Sequence, residues 1–266
     1  KYSCCLWRNP NKSIKKEVNL NQAEKDMLAL TCERAQMKDG LKVLDLGCGW
    51  GSLTIYLAQN YPKATITAVS NSAIQIAFID KKVKKLGLRN VKTIKADVKN
   101  FTITEQFDRI ISIEMFEHMR NYQKLFQKIQ QFLKDNGKLF IHIFTHKNQP
   151  YLFEKDDETD FMAKYFFTGG TLPTADILFY FAENFTIEHH WRINGKHYEK
   201  TLNSWLWKMK KKKQQLLPII EDVYGSKNKR KWWVYWKVFF IANAAIFGWK
   251  KGNHWFVSHY LFKKKE

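Results

Sequence analysis

Cysteine, proline and acidic side chains are scarce: 266 residues hold four Cys, five Pro and 25 Asp and Glu. Cysteines at 4, 5, 32 and 48 are too few and too N-terminal to frame a disulfide scaffold, which predicts an intracellular, reducing compartment. Cys4-Cys5 is no CxxC motif, and no neighbouring pattern supports a catalytic thiol. Residues 1–30 lack an apolar run behind a basic start, so no secretory signal is read there. The chain opens at Lys1 rather than Met, which points to a preceding segment. The one stretch of membrane length, Trp232 to Trp249, is broken by Lys237 and Asn243 and reads as a buried or interfacial helix. Internal repeats and Gly/Ser- or Pro-rich linkers are missing too. With 45% hydrophobic and 26% charged residues, disordered, collagen-like and fibrous classes drop out. The length suits one large domain with a subdomain.

What the chain has in excess is positive charge and aromatic rings. Its 45 Lys and Arg leave +20 at pH 7, and 15% of its residues are Phe, Trp or Tyr. Residues 200–266 alone carry +13, in runs such as Lys210 to Lys213, interleaved with Trp205, Trp207, Trp232, Trp233 and Trp236. Lys stems beside Trp suit an anionic membrane surface or an acidic protein partner. A solvated lysine face over an aromatic core is the equal alternative.

The pattern of elements is more decisive. A helix over 20–38 is followed by strand, helix and strand at 41–47, 52–61 and 64–70. Then come a helix over 72–87, a strand over 91–96, a strand over 107–114, a helix over 121–135 and a strand over 137–145. This alternation predicts an α/β fold, a mostly parallel sheet with helices on both faces. After Thr145 the rhythm changes: 146–173 is irregular and acidic (Glu154, Asp156, Asp157, Glu158, Asp160), a helix spans 174–183 and a strand 185–192. Two helices across 200–247 and a last strand at 254–262 follow. The expected division is an N-terminal lid and helix (1–40), a ligand-binding core (41–145), cap insertions with the sixth strand that roof a pocket (146–253), and a final antiparallel strand (254–266).

LDLGCGWG, Leu44 to Gly51, lies between the first strand and its helix. Gly47 and Gly49 permit a tight turn and close ligand approach, with Gly51 completing G-x-G-x-G instead of the dinucleotide G-x-G-x-x-G. Asp45 would repel a pyrophosphate but attract the cationic groups of S-adenosylmethionine. The acid expected at the end of the second strand is missing; Ser70, Asn71, Ser72 and Gln75 stand there instead. Asp97 is either a partner for an adenine amino group or a turn cap. Paired His189-His190 on a strand point to opposite faces, and no metal site is expected.

SIEMFEHM (112–119) closes the fourth strand with two carboxylates and an imidazole. Together with YSCCLW (2–7), AVSNS, YFFTGGTLP (165–173), NGKHYEKTLNSW (194–205) and WFVSHYLFKKK, it resembles the S-adenosylmethionine-dependent methyltransferases that include cyclopropane fatty-acid synthases, mycolic-acid cyclopropane synthases and plant coclaurine N-methyltransferases. The resemblance covers nearly the whole chain. It implies a Rossmann-like class I methyltransferase with a seven-stranded sheet and an inserted helical cap. The family begins upstream of its YSC block, which implies a further N-terminal segment. E-M-F-E-H (Glu114 to His118) and His142-x-x-x-His146-Lys147 are similar to the coclaurine branch. The lipid branch has Gly in place of Glu114 and is known to hold bicarbonate with Cys, Glu, His and Tyr, here Cys4, Glu117, His142 and Tyr198. Phe144 replaces the aliphatic residue of that cage.

Methyl transfer from a sulfonium is an in-line displacement in which positioning does most of the work. An amine acceptor must first lose a proton, which Glu114, Glu117 or His118 could take, Glu117 being the first choice. An alkene acceptor needs an anionic base afterwards and aromatic walls such as Phe116, Tyr165, Phe166, Trp191 and Tyr198. Three readings stay open: methylation of a small-molecule amine, methylation or cyclopropanation of unsaturated phospholipid chains, and a non-catalytic subunit of a larger assembly. Nucleic acid is set aside, since N-P-P-Y and Pro-Cys motifs are absent. The placement follows the substrate: cytoplasmic, peripheral to a membrane, or in an organelle such as the mitochondrion.

Overall fold

The computed structural model describes residues 1–11, 19–154 and 161–265. Of the acidic stretch, Asp156, Asp157, Glu158 and Asp160 lie outside the described residues, while Glu154 pairs with Arg120 at 3.1 Å. In chain order the elements are α1 (Leu20–Arg34), β1 (Lys42–Leu46), α2 (Ser52–Asn60), β2 (Thr65–Ser70), α3 (Ala73–Lys85) and β3 (Val91–Lys95). They continue with β4 (Phe107–Ile113), α4 (Tyr122–Phe132), β5 (Leu133–His146), β6 (Tyr151–Leu152), α5 (Phe161–Tyr165) and β7 (Thr171–Leu172). Last come β8 (Phe185–Ile193), α6 (Lys196–Lys211), α7 (Lys213–Tyr224), α8 (Lys229–Gly252) and β9 (Trp255–Lys264).

Seven strands form one sheet in the order β3-β2-β1-β4-β5-β9-β8, with β1–β2, β2–β3, β1–β4 and β4–β5 all parallel. Consecutive burial of Val43, Leu44, Asp45 and Leu46 on β1 is what a central strand covered on both faces requires. Local signals set the helix ends. The Ser72 hydroxyl accepts from Gln75 N to start α3, and Asn121 accepts from Lys124 N to start α4. Lys82, Lys84 and Lys85 in the last turn of α3 oppose the helix dipole.

The chain divides into two compact units. The first holds residues 1–3, 28–192 and 258–266; the second holds 4–27 and 193–257. The division falls after Arg192 rather than after Thr145, because 171–192 belongs with the sheet. Leu178 sits in the sheet's core cluster and the Tyr260 hydroxyl donates to Ala175 O at 2.7 Å. Two elements differ from the sequence reading. The segment predicted as a helix over 174–183 is a 3₁₀ turn, Ile177–Phe181, and 196–252 holds three helices instead of two. Gly225, at φ +82°, ends α7 and allows the reversal into α8.

Within the second unit, Thr201 takes the Cys5 N–H at 3.1 Å and the Trp7 indole N–H at 3.0 Å, fixing the N-terminal segment on α6. Among the described residues no helix is long and apolar enough to cross a membrane.

Candidate active site

β1 lies where the strand order reverses, with β2 on one side and β4 on the other, and a crevice opens there beyond the strand C-termini. The glycine turn builds its floor. Gly47 N and Cys48 N both donate to Val69 O, at 3.0 and 2.9 Å, so the chain must turn sharply off β1. Gly47 stands at φ +86°, and a Cβ added there would lie 2.6 Å from the Met115 side chain. Only glycine meets both demands. Gly51, at φ +74°, backs against Ile79 rather than facing the crevice.

The crevice, about 230 Å³, is walled by Tyr2, Ser3, Asp45, Gly47, Gly49, Trp50, Gln75, Glu114 and His118, among others. Asp45 is 2% exposed and accepts from the Thr54 hydroxyl at 2.6 Å. Burial pushes its carboxyl up to about 6, against the pull of the Thr54 hydrogen bonds. A desolvated carboxylate facing a crevice is an incomplete site, and a cation completes it.

Glu114 stands on the opposite wall. It is a non-glycine residue in the left-handed region, φ +48°, at the end of β4. Its backbone N–H donates to His142 O at 2.8 Å, and its Oε1 receives His142 Nε2 at 3.3 Å. His118 reaches the crevice from the 3₁₀ turn Phe116–His118, its pKa lowered by burial against the opposing charge of Glu114. Glu117, first choice for the base from sequence, points the other way. Its carboxyl is 2% exposed, and Oε2 has no hydrogen-bond partner among the described residues. Burial, then the charge of Glu114, raises its pKa well above the ordinary carboxylate value.

The other expected residues are scattered. Ser70 is buried and its hydroxyl donates to Gln75 Oε1 at 2.7 Å, so it orients Gln75 rather than facing the crevice. Asn71 is exposed on the turn between β2 and α3. Asp97 is exposed and accepts from Lys99 N at 2.9 Å, a turn cap, and it is not among the crevice's lining residues. His142 is fully buried behind Glu114. Cys4 and Tyr198 belong to the second unit, where Tyr198 packs on Phe247 at 4.4 Å. Phe116 is core, stacked on Tyr122 at 6.3 Å, and Trp191 lies under the Arg34 guanidinium at 4.8 Å. His189 stacks on Trp191 and His190 on Tyr260. Thr54, Tyr2 and Ser3 were not singled out from sequence; the YSC block carried the only signal for the latter two.

Residues 1–246 match the mycolic acid cyclopropane synthetase family. An (S)-coclaurine N-methyltransferase of Thalictrum flavum subsp. glaucum is 38% identical over 269 residues, covering 100% of this chain and 73% of that protein. The cyclopropane-fatty-acyl-phospholipid synthase of Escherichia coli (strain K12) is 31% identical over 232 residues, 86% of this chain and 55% of its own length. A crystal structure of coclaurine N-methyltransferase bound to N-methylheliamine and SAH superposes with a TM-score of 0.92 at 37% identity, covering 99% of this chain and 75% of that one. The crevice suits such a cofactor. S-Adenosylmethionine brings an ammonium and a sulfonium, which the buried Asp45 carboxylate would complement, and the Gly47–Gly49 turn leaves the backbone bare for close approach. The chain belongs to the mycolic acid cyclopropane synthetase family and is an S-adenosylmethionine-dependent methyltransferase.

Proposed function

We propose that the acceptor is the nitrogen of a small-molecule amine, and that Glu114 and His118 receive it. The observation that carries this reading is the Glu114 carboxylate, held on the crevice wall by the His142 N–H from a backbone position that favours glycine. A residue kept at positive φ costs on the order of 1 kcal/mol and persists where the side chain is needed. Asp45, Gly47, Gly49 and Gln75 hold S-adenosylmethionine; when bound, it supplies an electrophilic methyl group on a sulfonium.

An amine arrives at neutral pH as a cation. The charge of Glu114 draws it in and orients its N–H bonds. One proton must then leave before the nitrogen lone pair can react. His118, kept neutral by burial, accepts it, and Glu114 pairs with the imidazolium that forms. Glu117, buried away from the crevice with its pKa raised by burial and by the charge of Glu114, is not the group that takes the amine proton. Bicarbonate, as used in the lipid branch, has no free donor on His142: one ring nitrogen engages His259 and the other Glu114. The Glu114 carboxylate is itself the anion on that imidazole.

Product analysis with mixed amines and unsaturated phospholipids tests the reading. Methylated amine is expected from the wild type, and Glu114→Gln lowers turnover roughly 100-fold. Methylated or cyclopropanated lipid without methylated amine refutes it.

A second observation favours a membrane-surface location. The helical unit exposes Ile219 (58%), Val223 (63%) and Trp249 (62%) among its lysines. Each Lys near anionic lipid adds about 1 kcal/mol, screened by salt. Sedimentation with anionic but not zwitterionic vesicles, reversed by high salt, is the expected result. Equal behaviour with both removes the membrane and leaves an acidic protein partner or none.

A further inference from the structure

Four side chains of the first unit form a continuous file behind the crevice wall. Arg34 Nη1 lies 3.0 Å from His259 Nδ1, His259 Nε2 lies 2.8 Å from His142 Nδ1, and His142 Nε2 lies 3.3 Å from Glu114 Oε1. Both imidazoles are 0% exposed. They come from β5 and β9, neighbours in the sheet, and Arg34 ends α1 with its guanidinium over Trp191.

A guanidinium has five donors and no acceptor. His259 Nδ1 must therefore offer its lone pair, which puts the His259 proton on Nε2. That N–H can only donate, so His142 Nδ1 accepts and the His142 proton sits on Nε2, aimed at Glu114. An obligate donor at one end thus sets every proton position to the other end. An extra proton on either ring would bring two N–H groups face to face, or an N–H against the guanidinium. Burial independently favours neutral rings at both positions.

We infer that Arg34 and His259 are positioning residues for the methyl transfer: together they lock His142 as the N–H donor that holds Glu114 against the amine. Nothing in the sequence pattern had singled out either residue. Without Arg34 the two-imidazole pair is free to reverse. His142 would then present a lone pair to the Glu114 carboxylate, and the acceptor would lose its orientation while the fold and the cofactor half of the crevice stay in place.

This inference rests on Glu114 contacting the amine, so the experiment has separate arms. Nitrogen-15 NMR of the histidine rings in the full wild-type chain needs no variant, and Nε2–H tautomers are expected for both His142 and His259. Arg34→Leu lets both rings populate Nδ1–H and lowers kcat for amine at least ten-fold, with KM for S-adenosylmethionine within two-fold. Arg34→Lys, which keeps a donor cation, recovers part of the rate. His259→Gln, able to accept from Arg34 and donate to His142, keeps more turnover than His259→Leu. An Nδ1–H tautomer at either ring in the wild type overturns the inference, as does unchanged kcat in Arg34→Leu. Wild-type turnover in Glu114→Gln with the Nε2–H tautomers intact instead refutes the amine reading of Glu114 while leaving the ring assignment standing.

Discussion

Replacing Asp45 by Asn removes a charge from a site that is 2% exposed, yet keeps an oxygen for the Thr54 hydroxyl. Burial moves this carboxyl from 3.8 up to about 6. Because the folded state holds the proton more tightly than the unfolded state, the stability from this group is complete below about pH 4. It is lost as pH rises through 6. At neutral pH the ligand-free protein therefore carries about 3 kcal/mol of charge burial at one residue. An amide recovers only part of that, since its own N–H₂ also needs partners. A gain of about 1–2 kcal/mol is expected, or a rise in Tm of roughly 2–8 °C for a chain of this size. Ligand-free melting curves at pH 4.5 and 7.5 provide the check: variant and wild type should nearly coincide at the lower pH and separate at the higher. Calorimetry should show at least ten-fold weaker binding of S-adenosylmethionine, about 1.4 kcal/mol. The reasoning fails if the two melting curves keep a constant separation across that pH range, or if the affinity is unchanged.

At position 114, Gly should be more stable than Ala by about 1 kcal/mol in denaturant unfolding, since φ is +48° there; equal stabilities would show that the backbone relaxes. Gly47→Ala forces a Cβ to 2.6 Å from Met115 at φ +86°, so loss of at least 2 kcal/mol and of cofactor binding is expected, read by melting and calorimetry. Glu117→Gln removes a carboxyl whose burial favours the protonated form, so the variant should gain on wild type as pH rises, read by melting curves across pH. A stability difference that does not change with pH would refute this.

The parallel half of the sheet was legible because its central strands are buried on both faces and its helices carry their own start and stop signals, such as Ser72 and the lysines before Gly87. The segment 174–183 was not: its apolar run suits a helix, but Leu178 and Tyr260 anchor it in the core as a single tight turn. Asp45 and the glycine turn could be read because a strand–turn–helix context fixes where they point. Glu114 and His118 were named from E-M-F-E-H, but which of its three titratable groups lines the crevice depends on the left-handed kink at Glu114. That φ is invisible in a residue string. Asp97 turned into a turn cap for a related reason: its side chain spends itself on the backbone two residues on. Arg34 and His259 lie more than 200 positions apart in sequence, and only the fold brings the end of α1 to β9.

The left-handed backbone at Glu114 also makes the chemistry of the wall separable from its scaffold. The main chain there already has a glycine's shape, so exchanging Glu for Gly asks nothing of the surrounding strands. What the exchange would leave is a bare His142 N–H at the back of a newly opened hollow, its direction still dictated by Arg34. Such a hollow is a receptor for a small planar anion, bicarbonate or formate. One substitution at one position thus converts a wall that carries its own negative charge into one that must borrow it from solution.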